Sequence, residues 1–366
     1  MYRYFFSVSV IVLLLSSNVK GQSDDRKLTS VNPVTMGYSA NFFQKIGKEA
    51  SDSIPSLGSM LVWQKKGIVY EGYFNGASSA TTFNIKSATK SIVSALAGIA
   101  NDKGMLPDLN TPVLKVLTEY SKPINSSPNV WLANMRIGND SIRRTMTLKH
   151  LLSMQAGFQW IENGPVSRVF CLSSDPVRFA LDLPYDDYPG QIFNYNSAAA
   201  SIFCAALSKG IKEDLNKFAQ DNLFEPSGIK LSSWAVDPLG RYIGGSEMCM
   251  TPQDLMRFGL LYLHNGKVNG KQLISESWIK ESTDKHVELD QWDVLPNANG
   301  YGYYWWRRLT NGHQAYVASG YGGQLICVIP DLEMVIVTTC FLNESNRGRS
   351  EIKRLHEFID KITKVS

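Results

Sequence analysis

The sequence predicts a mixed α/β fold of the α+β kind, in which an antiparallel sheet is flanked by N- and C-terminal helices and carries a large, mostly helical insertion. Two strand-like runs, Ser59–Trp63 and Ile68–Phe74, lie near the N-terminus. Helical patterns and turns dominate the middle of the chain, roughly residues 87–297. Strand patterns return after residue 298, and an amphipathic segment, Arg349–Lys361, follows them. Because the apolar face of a sheet needs a second layer, we expect one sheet with strands from both ends of the chain, covered by helices.

The first 21 residues have the features of a cleaved secretory signal. Arg3 supplies a positive n-region, Val8–Leu15 an apolar h-region and Val19-Lys20-Gly21 a small-residue cleavage site. We therefore expect the mature chain to begin at Gln22 and to be periplasmic or secreted. The apolar run is too short to span a bilayer well and no later run approaches its length, so no membrane anchor is expected after cleavage.

The remaining residues, 22–366, suit one large domain or two intimately packed lobes, because 44% of the sequence is hydrophobic and can form a sizeable core. We expect a sheet lobe from about 35–86 and 298–366, and a helical lobe from about 87–297. The formal net charge of +4 is small, and Lys and Arg are spread along the chain rather than clustered with aromatic residues. The sequence therefore does not support nucleic-acid binding.

The N-terminal elements follow from short apolar patterns separated by turn residues. A helix-like segment, Ala40–Glu49, precedes the two strands, and Lys65-Lys66-Gly67 between them completes a β-hairpin pattern. A third short run, Thr82–Ile85, leads into a helix predicted from about Ser87 to Lys103. Apolar residues recur in this helix at i, i+4 and i+7, no proline interrupts it, and Gly104 supplies a stop.

The later elements follow from the same kinds of pattern. Helices are predicted at Thr147–Gln155, Ser197–Lys209, Leu215–Asn222 and Thr251–His264. An antiparallel meander is predicted from Tyr301–Trp306, Ala315–Val317, Gln324–Ile329 and Met334–Thr339, with a turn at Pro330–Glu333. The closing helix, Arg349–Lys361, has apolar residues on one side and should cover a face of the sheet.

Ser87 is the candidate catalytic nucleophile, in the segment Ser87-Ala88-Thr89-Lys90. Residues three apart share a helix face, so the amine of Lys90 is within reach of the Ser87 hydroxyl. The start of a helix also has unpaired N–H groups and a positive dipole end, which favour negative charge on an oxygen placed there. The segment thus combines a nucleophile, a base and a site for an oxyanion.

The Ser-x-x-Lys spacing alone is a weak signal, because it occurs six times, beginning at Ser17, Ser87, Ser227, Ser277, Ser282 and Ser350. The other five lie in the predicted signal, in a turn or in polar helical surroundings. Only Ser87 combines a strand-like approach with an apolar helix that could bury the lysine. The alternative interpretation is a plain N-cap serine beside a solvated lysine.

Two further segments could contribute to the same site. Phe193-Asn194-Tyr195-Asn196-Ser197 precedes a helix of small residues, and the alternative interpretation is a helix cap with a packed tyrosine. Ser319–Gln324 is rich in glycine and is followed by a strand rather than a helix, so it is not a dinucleotide fingerprint. Its glycines permit close approach of the backbone to a ligand, or a bulged strand edge.

Other catalytic and binding patterns are absent from the sequence. The five histidines have no zinc-ligand spacing, so neither a metal site nor a cofactor is predicted. No Gly-x-Ser-x-Gly occurs, which argues against an α/β-hydrolase. The five cysteines lie in mostly apolar contexts and their number is odd, so buried free thiols are favoured over a disulfide framework.

Three segments in this order resemble the motifs of the serine β-lactamase and penicillin-binding-protein superfamily: Ser87–Lys90, Tyr195–Ser197 and Gly320–Gln324. The chain is most similar to the class C branch, and within that branch to the esterases and 6-aminohexanoate-dimer hydrolases. Thr147–Phe158 and Asp254–Leu263 also carry the likeness, which covers nearly all of the mature chain. The resemblance implies a β-lactamase/transpeptidase-like fold.

The resemblance also implies catalytic roles. Ser87 attacks a carbonyl and forms an acyl-enzyme that is hydrolysed, while Lys90 and Tyr195 act as a coupled general base and acid. A lone lysine would need its pKa lowered by about 3.4, and a lone tyrosine by about 3, to be half deprotonated at pH 7, so a close pair that titrates together is expected. The backbone N–H groups of Ser87 and Tyr321 form the implied oxyanion hole.

Two departures from the family pattern leave the substrate open. Ser197 replaces the Asn of Tyr-x-Asn, and Ala318 stands where a Lys or His holds a substrate carboxylate in β-lactamases. Trp160, Ser197, Gly320 and Gln324 are expected to line the substrate site, although a packed Trp160 fits the sequence equally well.

The leading hypothesis is an exported serine hydrolase that cleaves small-molecule esters or amides through Ser87. The alternative among enzymes is a β-lactamase or D-amino-acid peptidase, in which Arg168 or Arg307 could restore the missing charge. The alternative from another class is a catalytically silent, penicillin-binding-like module that binds a cell-wall or polymer ligand. The sequence leaves the oligomeric state open.

Overall fold

The computed structural model describes residues 28–122, 140–290, 295–342 and 349–365. Its strands are β1 (Leu57–Gln64), β2 (Gly67–Tyr73), β3 (Phe83–Asn84), β4 (Ser233–Trp234), β5 (Met248–Met250), β6 (Lys267–Val268), β7 (Lys271–Gln272), β8 (Ala298–Tyr301), β9 (Trp306–Thr310), β10 (His313–Gly320), β11 (Gln324–Ile329) and β12 (Met334–Cys340). Seven of these form one antiparallel sheet in the order β2-β1-β12-β11-β10-β9-β8. Strands β3, β5 and β4 form a small second sheet, and β6 pairs with β7.

The α-helices surround and interrupt this sheet. They are α1 (Phe42–Ser53), α2 (Thr89–Asp102), α3 (Val113–Val116), α4 (Leu148–Leu152), α5 (Pro165–Leu172), α6 (Pro176–Leu181), α7 (Ser197–Ile211), α8 (Leu215–Ala219), α9 (Pro252–Leu263), α10 (Glu276–Thr283) and α11 (Arg349–Thr363). Helix α9 packs against β1, β11 and β12, while α1 packs on β1 and α11 on β9. The predicted signal, residues 1–21, lies outside the described residues. No described helix combines the length and the hydropathy that crossing a membrane requires.

The main sheet joins strands from both ends of the chain, which confirms the predicted α+β class. Strand β1 pairs with β2 on one side and with β12 on the other, so that Val62 faces Ile336 across the ladder. The predicted turn before β12 is a short 3-10 helix, Pro330–Leu332, which ends at a left-handed Glu333. The predicted bounds of β11 are confirmed, and β12 extends one residue further than predicted.

The predicted strand Tyr301–Trp306 is wrong, because the chain turns within it. Strand β8 ends at Tyr301 and β9 begins at Trp306. The Gly302 N–H donates to the Trp305 carbonyl at 2.8 Å, and Tyr304 has a left-handed φ of 63°. The aromatic side chains in the turn are buried. Their burial, rather than a strand, explains why a run of aromatic residues occurs here.

Helix α2 is buried along almost its whole length, since every residue from 89 to 100 is buried. It begins at Thr89, two residues later than predicted, because Lys86–Ala88 form a turn of 3-10 helix instead. The predicted helix Leu215–Asn222 is α-helical only to Ala219, and a π-helical segment follows at Gln220–Phe224. A fully packed α2 gives the side chains on its first turn a rigid support.

The cysteines are all free thiols, as predicted. Cys204, Cys327 and Cys340 are buried and Cys249 is partly buried. Cys171 differs from the expectation because it is exposed, on α5.

Candidate active site

Ser87 lies in the 3-10 turn Lys86–Ala88, between β3 and α2. Lys86 has a left-handed φ of 50°, which turns the chain sharply just before the serine. The Asn84 side chain accepts a hydrogen bond from the Lys86 N–H at 3.0 Å, and Lys86 Nζ forms an ion pair with Glu247 at 2.9 Å. These contacts hold the turn, so that Ser87 is fixed at the start of α2.

Lys90 lies one turn further along the same helix, with its Nζ 2.9 Å from Ser87 Oγ. Nζ also donates hydrogen bonds to Ser197 Oγ at 3.0 Å and to the Gly245 carbonyl at 2.7 Å. The side chain is only 1% exposed, and burial lowers the pKa of Lys90 to about 8, although the carboxylate of Glu162 acts in the opposite direction. About one lysine in ten is then neutral at pH 7 and able to accept a proton.

Tyr195 lies immediately before α7, whose first turn is capped by the Asn196 side chain. The Nζ of Lys90 is 4.9 Å from the centroid of the Tyr195 ring. Burial, and after it the charge of Glu162, raises the pKa of Tyr195, while a hydrogen bond with Ser87 acts in the opposite direction. The structure therefore brings the three predicted catalytic side chains together, with Tyr195 as a neutral phenol.

Glu162 also belongs to this cluster, and sequence reasoning missed it. Its Oε1 accepts a hydrogen bond from Ser197 Oγ at 2.5 Å. Its Oε2 accepts one from the Ser197 N–H at 3.0 Å and one from Trp160 Nε1 at 2.6 Å. A continuous path of hydrogen bonds thus runs from Lys90 through Ser197 to Glu162. The one sequence feature that points to Glu162 is its position two residues after Trp160. The loop that contains it shows neither the helical nor the strand pattern of apolar residues.

The glycine-rich segment forms the turn between β10 and β11, and β10 contacts the turn that contains Ser87. A Cβ on Gly320 would lie 2.1 Å from the Ile85 carbonyl oxygen, so only glycine allows the two backbones to approach this closely. Tyr321 follows directly and lines the same cleft as Ser87. The two segments expected to supply the oxyanion hole are therefore neighbours.

Gly320 is buried and does not line the cleft, which corrects the expectation from the sequence. Gln324 does not line it either. Its side chain is 1% exposed, its Nε2 donates to the Cys340 carbonyl at 2.8 Å, and its Oε1 accepts from the Cys340 N–H at 3.2 Å. Thr338 Oγ1 donates to the Gly323 carbonyl at 2.8 Å. Because these bonds tie the glycine-rich turn to β12, the role of Gln324 is to hold that turn.

The site opens into a cleft with a volume of about 1220 Å³. Ser87, Trp160, Ser197 and Tyr321 are among the residues that line it. Trp160 is at the same time packed, because it is 5% exposed and its ring meets that of Phe170 edge to face at 5.5 Å. In the part of the chain that the structure describes, no group of His, Cys, Asp and Glu side chains could hold a metal ion.

Position 318 on β10 carries no positive charge, and Ala318 is fully buried. Arg307 does not replace the missing cation, because its guanidinium donates to the Thr283 carbonyl and lies 5.5 Å from the centre of the Tyr316 ring. Arg168, in contrast, lines the cleft. Of the two arginines that the sequence suggested as replacements, only Arg168 is therefore placed where it could meet a substrate carboxylate.

The sequence profile of the family described as Beta-lactamase matches residues 43–360. A search of curated proteins finds no match to this chain. Solved structures that share its fold include a candidate 6-aminohexanoate-dimer hydrolase from Bacillus anthracis, with 20% identity, a TM-score of 0.68 and coverage of 87% of this chain and 81% of that chain.

Two other solved structures have the same fold at lower identity. A D-stereospecific amidohydrolase from Streptomyces has 16% identity and a TM-score of 0.62, over 85% of this chain and 98% of that chain. EstCE1, a hydrolase with promiscuous acyltransferase activity, has 16% identity and a TM-score of 0.60, over 85% of this chain and 96% of that chain. At these identities the neighbours establish the fold.

Proposed function

This chain belongs to the beta-lactamase family and is a serine hydrolase, and we propose that it is exported and cleaves neutral esters or small amides through an acyl-enzyme on Ser87. The observation that carries the proposal is the 2.9 Å contact of Lys90 Nζ with Ser87 Oγ beside an open cleft. A buried amine with a pKa of about 8 can act as a base near neutral pH, whereas a solvated lysine is almost fully protonated there. The signal pattern in residues 1–21 supports export.

Acylation begins when the neutral amine of Lys90 takes the hydroxyl proton as Ser87 Oγ bonds to the carbonyl carbon. The carbonyl oxygen becomes an oxyanion, and the backbone N–H groups of Ser87 and Tyr321 stabilise it. Tyr195 then donates its phenolic proton to the leaving alkoxide or amine as the carbon–heteroatom bond breaks. The Lys90 ammonium returns a proton to Tyr195, so the acyl-enzyme holds a neutral lysine and a neutral phenol.

Deacylation uses the same groups with water in place of the serine. Lys90 takes a proton from the water that attacks the acyl carbon, and Ser87 Oγ regains a proton as the acid leaves. The amine must lose and regain a proton without turning away from the serine. Ser197 accepts a hydrogen bond from the Lys90 amine and donates one to Glu162. Glu162 thus fixes Ser197, and Ser197 keeps the amine beside Ser87. We therefore assign Glu162 as a positioning residue.

We expect Glu162→Gln to move the rising limb of the kcat/KM profile to lower pH. A nearby carboxylate favours the ammonium form, so removing its charge lowers the pKa of Lys90. The wild-type midpoint should lie near pH 8, the pKa of Lys90, and the variant midpoint should lie below it. The profile is measured with a neutral ester. Glu276→Gln, at an exposed position on α10, is the control and should leave the midpoint where it is in the wild type. A midpoint in Glu162→Gln that is equal to or higher than the wild-type midpoint contradicts the assignment.

We also expect neutral substrates to be preferred over substrates that carry a carboxylate, because Ala318 supplies no cation. A charge-assisted hydrogen bond contributes about 1.5 to 3 kcal/mol, so its absence should weaken such substrates by roughly one to two orders of magnitude. The measurement compares the rate enhancement on a p-nitrophenyl ester with that on a chromogenic cephalosporin, each relative to its uncatalysed hydrolysis. A cephalosporin enhancement equal to the ester's would favour the β-lactamase alternative.

A fluorophosphonate probe tests the proposed function directly, because it labels activated serines. The hydrolase should be labelled at Ser87, identified by the mass of the modified peptide. Absence of labelling on folded protein would instead favour the catalytically silent binding module.

A further inference from the structure

Apolar side chains line much of the cleft beside Ser87, and several of them are exposed. Leu172 is 86% exposed, Val236 is 48% exposed and Tyr321 is 42% exposed, and all three line the cleft. Phe170 and Val177 are buried and extend the apolar lining inward. Single exposed apolar residues are normal on a protein surface, but a group of them around one cleft indicates an interaction site or a ligand-binding groove.

Most charged groups of the cleft are already paired. Lys86 Nζ lies 2.9 Å from a Glu247 carboxylate oxygen. Arg241 forms an ion pair with Asp175 at 2.8 Å, and Glu162 accepts its hydrogen bonds from neighbouring protein groups. A charged substrate group would have to compete with these partners, whereas an apolar group displaces only water from apolar walls. The pairing therefore favours an apolar substrate group everywhere in the cleft except beside Arg168.

The size of the cleft points in the same direction. Its volume of about 1220 Å³ is larger than the roughly 300 to 1,000 Å³ of common small-molecule sites. A short acyl group such as acetyl would leave most of this space to water. An extended alkyl chain would occupy more of it and would cover the exposed apolar side chains.

We propose that the substrate is a carboxylic ester with a medium- or long-chain acyl group, about eight carbons or more, whose alkyl chain lies against the apolar wall of Phe170, Leu172, Val177 and Val236. The inference rests on the proposed function, because it takes Ser87 as the nucleophile. Ser87 Oγ bonds to the acyl carbon as the ester C–O bond breaks and the alcohol leaves with a proton. Water then cleaves the acyl-enzyme and releases the fatty acid.

A series of p-nitrophenyl esters from acetate to decanoate, each below its aggregation concentration, tests the inference. Each methylene that leaves water can contribute up to about fourfold to kcat/KM, so even partial burial predicts a rise of at least about 100-fold from acetate to decanoate. A profile that is flat or falls with chain length, with Ser87-dependent hydrolysis of acetate retained, overturns this inference and leaves the proposed function standing. Absence of any Ser87-dependent ester hydrolysis overturns both.

A double variant, Leu172→Gln with Val236→Gln, locates the alkyl chain. We expect it to lower kcat/KM on decanoate at least about tenfold more than kcat/KM on acetate, because only the long chain reaches these side chains. Leu309→Gln, an exposed leucine on β9, is the matched control and should change neither rate. Equal losses on both esters, or no loss on decanoate, would contradict the proposed position of the chain.

Discussion

Ser87→Ala should lower kcat by roughly four to six orders of magnitude, because removing a covalent nucleophile eliminates the acyl-enzyme route altogether. Binding of substrate should persist, since the alanine leaves the cleft and its apolar lining in place. The measurement is steady-state hydrolysis of the best ester, together with loss of fluorophosphonate labelling. A variant that retains more than about a hundredth of wild-type kcat would show that Ser87 is not the nucleophile.

Two controls keep this result interpretable. Thermal stability should be almost unchanged in Ser87→Ala, because Lys90 Nζ keeps its hydrogen bonds to Ser197 and to the Gly245 carbonyl. Ser277→Ala alters a second Ser-x-x-Lys spacing, on the exposed surface of α10, and should retain full activity. If Ser277→Ala lost as much activity as Ser87→Ala, the loss in Ser87→Ala would not identify Ser87 as the nucleophile, and the assignment would fail.

How far the site could be predicted from the sequence depends on how local its geometry is. Ser87 and Lys90 lie within one helical turn, so their spacing alone brings the amine to the hydroxyl. Tyr195 comes from a distant helix start, and only the order of the motifs indicated that it belongs to the same site. Glu162 meets Ser197 through the packing of an irregular loop, and no periodic pattern marks a contact of that kind. Gln324 was misplaced for the same reason, because its two backbone partners lie on another strand.

The fold shows the same division between local and tertiary effects. Alternating and continuous apolar runs predicted β1, β2, β11 and β12, because a buried strand needs such a run whatever its neighbours are. The run Tyr301–Trp306 satisfies the same pattern but forms a turn. Its aromatic side chains are buried by contacts with other parts of the chain, such as the edge-to-face contact between the rings of Tyr304 and Phe203, whose centroids are 6.0 Å apart. Composition alone does not distinguish these two ways of burying aromatic residues.

Lys90→Met should lower the rate of acylation by at least about 100-fold, which is the contribution that a positioned general base commonly makes. Methionine keeps the length of the side chain and removes the amine, so Ser87 loses its proton acceptor. The rate of fluorophosphonate labelling and the burst of p-nitrophenol both report acylation. Lys280→Met, at an exposed position on α10, is the matched control and should label at the wild-type rate. Acylation of Lys90→Met at the wild-type rate would exclude Lys90 as the base.

The stability of Lys90→Met provides an independent check on the buried amine. A pKa of about 8, below the ordinary 10.5, means that the folded protein binds this proton less tightly than the unfolded chain, by about 3 kcal/mol. This destabilisation of the folded state by Lys90 is absent above pH 10.5, grows as the pH falls towards 8, and is constant below pH 8. Methionine removes it but leaves the Gly245 carbonyl without its donor, which costs about 1 to 3 kcal/mol. We therefore expect near wild-type stability at pH 7 and a clear deficit relative to wild type at pH 10.5, measured by urea unfolding; a stability difference that does not change with pH would contradict the depressed pKa.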